Sequence, residues 1–287
     1  MIPMAFEYHR AASVEEAIRL LEQYGPDAKV LAGGHSLTPL MKLRFAQPAH
    51  VIDIGRLHEL RYIREEGNVI AIGALTLHRT VAESATVRQR IPVLAEAAFR
   101  IGDVQVRNMG TIGGSLAHAD PAADYPAVVL ALEAEIVAQG PAGRRTIRAR
   151  DFFRGPFTTA LQPNELIVEV RVPVPSGKTG SAYQKYPHPA SGFAVVGCAA
   201  VLTVDAETCR DVRVAFTGVA TQPFRDTVVE DALRGQRADE ATVRAAAEKA
   251  AEGVQPLGDA FASAEYRRHM AKVYARRALL QALTRAT

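Results

Sequence analysis

Two cysteines, Cys198 and Cys209, are all the thiol that 287 residues contain. Two thiols cannot staple a fold of this size, and they cannot ligate an iron–sulfur cluster, which takes about four. They flank the turn segment DAET, so they read as inert core or edge thiols, and the reducing cytoplasm is the expected compartment. Long apolar runs are missing too. The longest, Phe193 to Val204, is interrupted by Thr203 and is twelve residues long, against roughly 20 for a membrane span. MIPMAFEYHR carries an early acidic residue and no h-region, so no signal peptide is expected. There is no basic run, net charge is +3 with both signs interspersed, and aromatics make up 6%, which leaves nothing to demand nucleic acid. The locally basic EYRRHMAKVYARR has apolar residues at helical spacing and reads as a solvated helix face.

Cofactor and catalytic signatures are equally sparse. No two glycines are two apart, so the Rossmann fingerprint is excluded. Gly177-Lys178-Thr179 has the tail of a P-loop, but Val172 stands where its first glycine belongs. Gly34-His35-Ser36 opens like a nucleophile elbow, yet Thr38 holds the last glycine position. H-E-x-x-H is absent. His118, Asp120 and Asp124 match no standard metal spacing, so no metal ligand is assigned.

What is present is the mixture of a soluble globular chain, 48% hydrophobic and 23% charged, long enough for two or three compact units. Ser13 and Glu16 form a capping box for a helix carrying Val14, Ala17, Ile18 and Leu21, with Gly25 past its end. AKVLA and HVIDI read as strands. LRYIREEGNVIAIGAL reads as a hairpin, with short helices expected from Thr76 and from Pro92 to about Phe99. DYPAVVLALEA reads as a helix, EIVAQGPAGRRTIRA as a hairpin, ELIVEVRVP as a long strand and VPSGKTGS as a linker or long turn. From about Gly180, two long strands precede helices at Thr227 to Leu233, Glu240 to Gly253 and Ser263 to Thr284.

Two glycine pairs remain, Gly33-Gly34 and Gly113-Gly114, each ending an extended stretch. Glycine permits positive φ and brings no side chain, so exposed N–H groups at such a turn can form an anion-binding nest. Two nests can hold a diphosphate from two sides, with Ser36, Thr111 and Ser115 adding hydroxyls; each pair alone can equally be a tight turn. His118 reads as a satisfied loop histidine or a cofactor contact. Asp124 caps the helix near Pro126 or accepts from a ribose or ribityl hydroxyl.

VLAGGHSL (Val30 to Leu37) together with TIGGSLAHADPAAD (Thr111 to Asp124) resembles the FAD-binding medium subunit of the molybdenum hydroxylases, the xanthine dehydrogenase family, with SLAHADPAADYPAV nearest the carbon monoxide dehydrogenase branch. The resemblance covers essentially the whole chain. It implies an α+β fold: a two-part FAD domain of the vanillyl-alcohol-oxidase (PCMH) type over 1–176, with parts at about 1–57 and 58–176, and a C-terminal domain over 177–287 with a small antiparallel sheet and helices. It implies FAD contacts from Val30, Leu31, Ala32, Gly33, Gly34, His35, Ser36 and Leu37 in the first loop. The second loop supplies Thr111, Ile112, Gly113, Gly114 and Ser115. Asp124, Ile101 and Ile167 or its neighbour Leu166 add to them, and Lys185 closes over the cofactor; His118 joins this set only as the candidate contact read from the residues above. Many xanthine-type members have Asn where Ser115 stands, which shortens that side chain's reach. No catalytic residue follows. The implied partners are an iron–sulfur small subunit and a molybdopterin large subunit, paired as a dimer of heterotrimers, with an external acceptor (quinone, NAD or oxygen). A stand-alone FAD-dependent oxidoreductase is the alternative.

Overall fold

The computed structural model describes residues 1–286. It builds three bodies in chain order. The first holds β1 (Glu7–Arg10), α1 (Val14–Tyr24), β2 (Ala28–Leu31), α2 (Leu37–Lys42) and β3 (His50–Asp53), whose strands form a parallel sheet in the order β1-β3-β2. The cap is realised with its return bond moved by one residue: the Glu16 N–H donates to Ser13 Oγ at 3.1 Å, and the Glu16 carboxylate accepts from the Ala12 N–H and not from that of Ser13. Val14, Ala17, Ile18 and Leu21 are buried beneath the helix.

The second body begins with the hairpin β4 (Ile63–Glu66) and β5 (Val69–Gly73), turned by Gly67-Asn68 with Gly67 at φ 64°. Six helices follow: α3 (His78–Glu83), α4 (Ala85–Arg90), α5 (Pro92–Arg100), α6 (Val104–Met109), α7 (Ile112–His118) and α8 (Asp124–Ala131). Then come β6 (Glu135–Gly140), β7 (Gly143–Arg148), α9 (Ala149–Phe152), the two-stranded β8 (Phe153–Gly155) and β9 (Thr158–Thr159), and β10 (Leu166–Pro173). The main sheet runs β4-β5-β10-β6-β7 and is antiparallel throughout. β10 faces two cores. Ile167, Val170 and Val172 join the helices of the second body, whereas Leu166 and Val168 pack with Ile52, Ile54 and Leu57 of the first. A register shift between Ile167 and Glu169 accommodates this change of facing.

The third body is the antiparallel sheet of β11 (Thr179–Pro187), β12 (Ala194–Asp205), β13 (Thr208–Thr217) and β14 (Phe224–Arg225) with α10 (Thr227–Leu233), α11 (Glu240–Ala247) and α12 (Ala264–Ala286). It explains the long apolar run. Along β12, Ala199 and Val201 pack toward the second body, while Cys198, Ala200, Leu202 and Val204 pack toward the C-terminal helices. A strand covered on both faces has no polar side and reads as continuous hydrophobicity. Cys198 lies in mid-strand, away from the turn; it and Cys209 are both free and buried, which raises both thiol pKa values.

Several expectations change at this level. VPSGKTGS is a turn over 174–178 and not a linker throughout, because Thr179 already opens β11. α11 ends at Ala247, not Gly253. α12 is not merely a solvated face: Ala271, Ala275, Ala278 and Ala282 are buried, and Arg267 donates to the carbonyls of Val195 (2.6 Å) and Gly218 (2.7 Å). No helix among the described residues is long and apolar enough to cross a membrane.

Candidate functional site

A cleft of about 490 Å³ opens where the three bodies meet, a size ordinary for a cofactor pocket. β2 delivers the first glycine bend to it. Val30, Ala32, Gly33, Gly34, His35, Ser36 and Leu37 line the cleft. Gly34 takes φ 75°, and the N–H groups of Gly33, Gly34, His35, Ser36 and Leu37 make no hydrogen bond to any described residue. His35 Nδ1 lies 3.1 Å from the Gly33 carbonyl oxygen and folds the bend onto itself.

The second glycine pair is not a second nest. It sits in the first turn of α7, where its amides are already satisfied. Ile112 N–H donates to the Thr76 carbonyl at 3.1 Å and Gly113 N–H to the Ala74 carbonyl at 2.9 Å. Gly114 N–H donates to Thr111 Oγ1 at 3.1 Å, and Ser115 N–H to the Thr111 carbonyl at 3.0 Å. Thr111 is thus the N-cap, and its hydroxyl proton stays free to donate. The glycines serve close approach. A Cβ at Gly113 would lie 2.6 Å from Ala74 Cβ; one at Gly114 would lie 2.8 Å from Thr111 Oγ1 and 3.9 Å from Ala32 Cβ. A Cβ at Gly33 would lie 2.1 Å from the Met109 carbonyl oxygen, just before the second bend. Removing these side chains lets the two bends share one cleft.

Thr111, Gly113, Gly114, Ser115, His118, Asp124, Ile101, Leu166 and Ile167 also line the cleft, whereas Leu31, Ile112 and Lys185 do not. Ile101 follows α5; Leu166 and Ile167 open β10. Phe193, Gly192 and Ser191 of the third body add to the wall, as do Lys29, His78 and Phe157, and apolar residues such as Leu40, Ile54, Leu75 and Val106. Sequence reasoning missed all of these. Lys29 had one signal, being the only charge in AKVLA.

Asp124 does not cap α8: Ala123 holds the N-cap position, without a side-chain bond. The buried Asp124 carboxylate instead accepts from Tyr183 Oη at 2.6 Å and Lys185 Nζ at 2.8 Å, joining cleft and third body. Lys185 Nζ also donates to the Arg100 carbonyl at 3.0 Å. Lys185 therefore lies behind Asp124 and does not reach over the cleft. Burial pushes the Asp124 carboxyl up; the Lys185 ammonium and Tyr183 hydroxyl oppose that rise. Burial pushes His78 down to about 4 and lowers His118, so both imidazoles are neutral at pH 7. His78 Nδ1 lies 3.3 Å from Tyr125 Oη.

Unpaired amides at a positive-φ bend, a free hydroxyl opposite, one lysine at the rim and apolar walls suit a phosphate-containing nucleotide that also carries a flat ring. They define the class: a nucleotide-cofactor-binding protein without a Rossmann helix. The family models agree and sharpen it. Residues 4–175 match the FAD binding domain in molybdopterin dehydrogenase, and residues 181–282 match the CO dehydrogenase flavoprotein C-terminal domain. The chain is 47% identical to the carbon monoxide dehydrogenase medium chain of Hydrogenophaga pseudoflava over 99% of both chains. It is 38% identical to the glyceraldehyde dehydrogenase medium chain of Sulfolobus acidocaldarius, over 95% of this chain and 96% of that one. Among solved structures, carbon monoxide dehydrogenase from H. pseudoflava superposes with a TM-score of 0.96 at 48% identity, covering 99% of each chain. Quinoline 2-oxidoreductase from Pseudomonas putida superposes at 0.94 with 33% identity, covering 100% of this chain and 99% of that one. The chain therefore belongs to the FAD-binding medium-subunit family of the molybdopterin dehydrogenases, the xanthine dehydrogenase family. Its cofactor is FAD and it is an oxidoreductase subunit.

Proposed function

We propose that this chain is the flavoprotein of a heterotrimeric, carbon monoxide dehydrogenase-like molybdenum hydroxylase, assembled with an iron–sulfur small subunit and a molybdopterin large subunit as a dimer of heterotrimers. Bound FAD supplies the ability to accept electrons singly and release them in pairs. The iron–sulfur clusters of the small subunit supply those electrons, and a quinone, NAD or oxygen takes them. The cytoplasm is the proposed compartment.

The single observation that carries the reading is the run of unpaired N–H groups from Gly33 to Leu37 on the cleft wall. In the proposed complex these amides, with the Thr111 and Ser115 hydroxyls and Lys29, hold the diphosphate. Ile101, Leu166, Ile167 and Phe193 exclude water from the ring. Asp124, fixed by Tyr183 and Lys185, keeps lone pairs available to a ribityl hydroxyl. Relatives named for carbon monoxide and quinoline share this backbone, and one named for glyceraldehyde is 38% identical, which supports a substrate chosen in the large subunit.

Co-purification from the native host tests the reading. It predicts one FAD per chain together with iron and molybdenum, and near-zero turnover by the isolated chain. A purified chain that oxidises a small donor without partners would favour the stand-alone oxidoreductase.

A further inference from the structure

The first sheet brings together three donors that lie far apart in the chain. β1 and β3 run parallel with Glu7 opposite His50 and His9 opposite Ile52. Residues two apart on a strand share a face, so Glu7 and His9 project together, and His50 meets them from the neighbouring strand. His9 Nε2 lies 3.1 Å from His50 Nδ1; Glu7 Oε2 lies 3.4 Å from His50 Nδ1 and 3.8 Å from His9 Nε2. Tyr24, at the end of α1, stacks on both rings, with centroids 3.7 Å from His50 and 4.8 Å from His9. The imidazoles are mostly buried, at 20% and 18% side-chain exposure, while Glu7 is 71% exposed.

We propose that Glu7, His9 and His50 form a binding site for one divalent zinc-like metal ion, which pins the N-terminal strand to the flavoprotein. Tetrahedral zinc with bonds of about 2.0–2.2 Å sets its ligand atoms roughly 3.3–3.5 Å apart. The three donor separations bracket that edge length. A shared proton satisfies the His9–His50 pair alone and leaves both carboxylate separations too long for hydrogen bonds, whereas a cation at the centre of the triangle satisfies all three. Two imidazoles and a carboxylate suit zinc and its first-row neighbours. Solvent beyond the exposed Glu7 supplies the remaining ligand. β1 is a four-residue edge strand bonded to β3 alone, so a metal across this seam ties down an element with few other anchors. The donors lie at the start of β3, in register with Ala28, whereas the first glycine bend follows Leu31 at the other end of β2. Flavin binding and metal binding are therefore separable.

The test uses the tag-free full-length chain stripped with a chelator, then titrated with Zn²⁺ and, separately, Co²⁺. One zinc per chain, a rise in unfolding temperature that tracks zinc concentration, and the intense visible band of four-coordinate cobalt are expected. His9→Gln and His50→Gln should each weaken zinc binding at least tenfold with flavin content unchanged, and Glu7→Gln should weaken it less. Cobalt spectra of the unmutated chain stand even if a variant misfolds. Absence of saturable zinc binding, or full binding by the His9→Gln/His50→Gln double variant, would overturn the proposal.

Discussion

The two glycine bends look alike in one-letter code and differ in what their backbones offer. At the first, Gly34 sits at φ 75° and five consecutive amides, Gly33 to Leu37, bond to no acceptor among the described residues. At the second, the four amides from Ile112 to Ser115 are bonded to Thr76, Ala74 and Thr111, and the pair lies inside a helix. One bend is a donor surface; the other is a packing device that contributes side-chain hydroxyls. Glycine alone therefore does not announce an anion site: its use depends on where the neighbouring N–H groups go.

The largest expected effect comes from the buried pair that anchors the second bend's side of the cleft. Lys185→Met leaves the Asp124 carboxylate buried beside a single hydroxyl donor, and should cost about 3–5 kcal/mol in a denaturant titration. Flavin should be lost with it. Next, Gly33→Ala puts a methyl group 2.1 Å from the Met109 carbonyl oxygen and forces the two bends apart. A loss of about 3 kcal/mol and most of the bound FAD is expected, read from the flavin-to-protein absorbance ratio. Gly114→Leu, by contrast, meets the movable Thr111 hydroxyl first. It should lower flavin content with a smaller stability loss, and unchanged FAD would contradict the place given to this bend.

The pH response sharpens the same contrast, because His78 packs against Gly110 at the second bend; a Cβ there would lie 2.5 Å from its Nε2. Its pKa is held at about 4. The unfolded chain takes up that proton first, so stability is complete above about pH 6.5 and falls as pH drops toward 4. The total is roughly 3 kcal/mol. His78→Gln should flatten that limb, leaving the smaller contribution of His118. The smallest effect is Thr111→Val, which removes a cap worth about 1 kcal/mol and one proposed phosphate donor, while the amides of the first bend remain.

Local signals made much of this legible. Ser13 and Glu16 mark a real cap and Gly67-Asn68 a real hairpin turn, because each is fixed by neighbours a few residues away; ELIVEVRVP is a real strand whose apolar, β-branched run is itself local although its partners β5 and β6 are not. β1 was missed: EYHR has no apolar alternation, and its partner His50 is distant in sequence. α7 was missed because two glycines oppose helix formation locally; contact with Ala74 selects them. β11 was read partly as linker since Gly180 looks like a turn residue. In fact α12 lies so close that a Cβ there would stand 1.9 Å from the Ala282 carbonyl oxygen. The two glycine bends of the cleft were visible in the two motifs, whereas most of its apolar wall, such as Leu40, Ile54, Leu75 and Val106, was not. The bonding of Asp124 to Tyr183 and Lys185 was not, because only the packed third body creates it.

A crystal structure of the flavin-loaded assembly tests the central claim most directly. The account predicts pyrophosphate oxygens within about 2.7–3.2 Å of at least two backbone nitrogens between Gly33 and Leu37, and contacts from the second bend made by the Thr111 or Ser115 hydroxyl. A pyrophosphate lying away from the first bend, with those five amides turned to solvent, would contradict it.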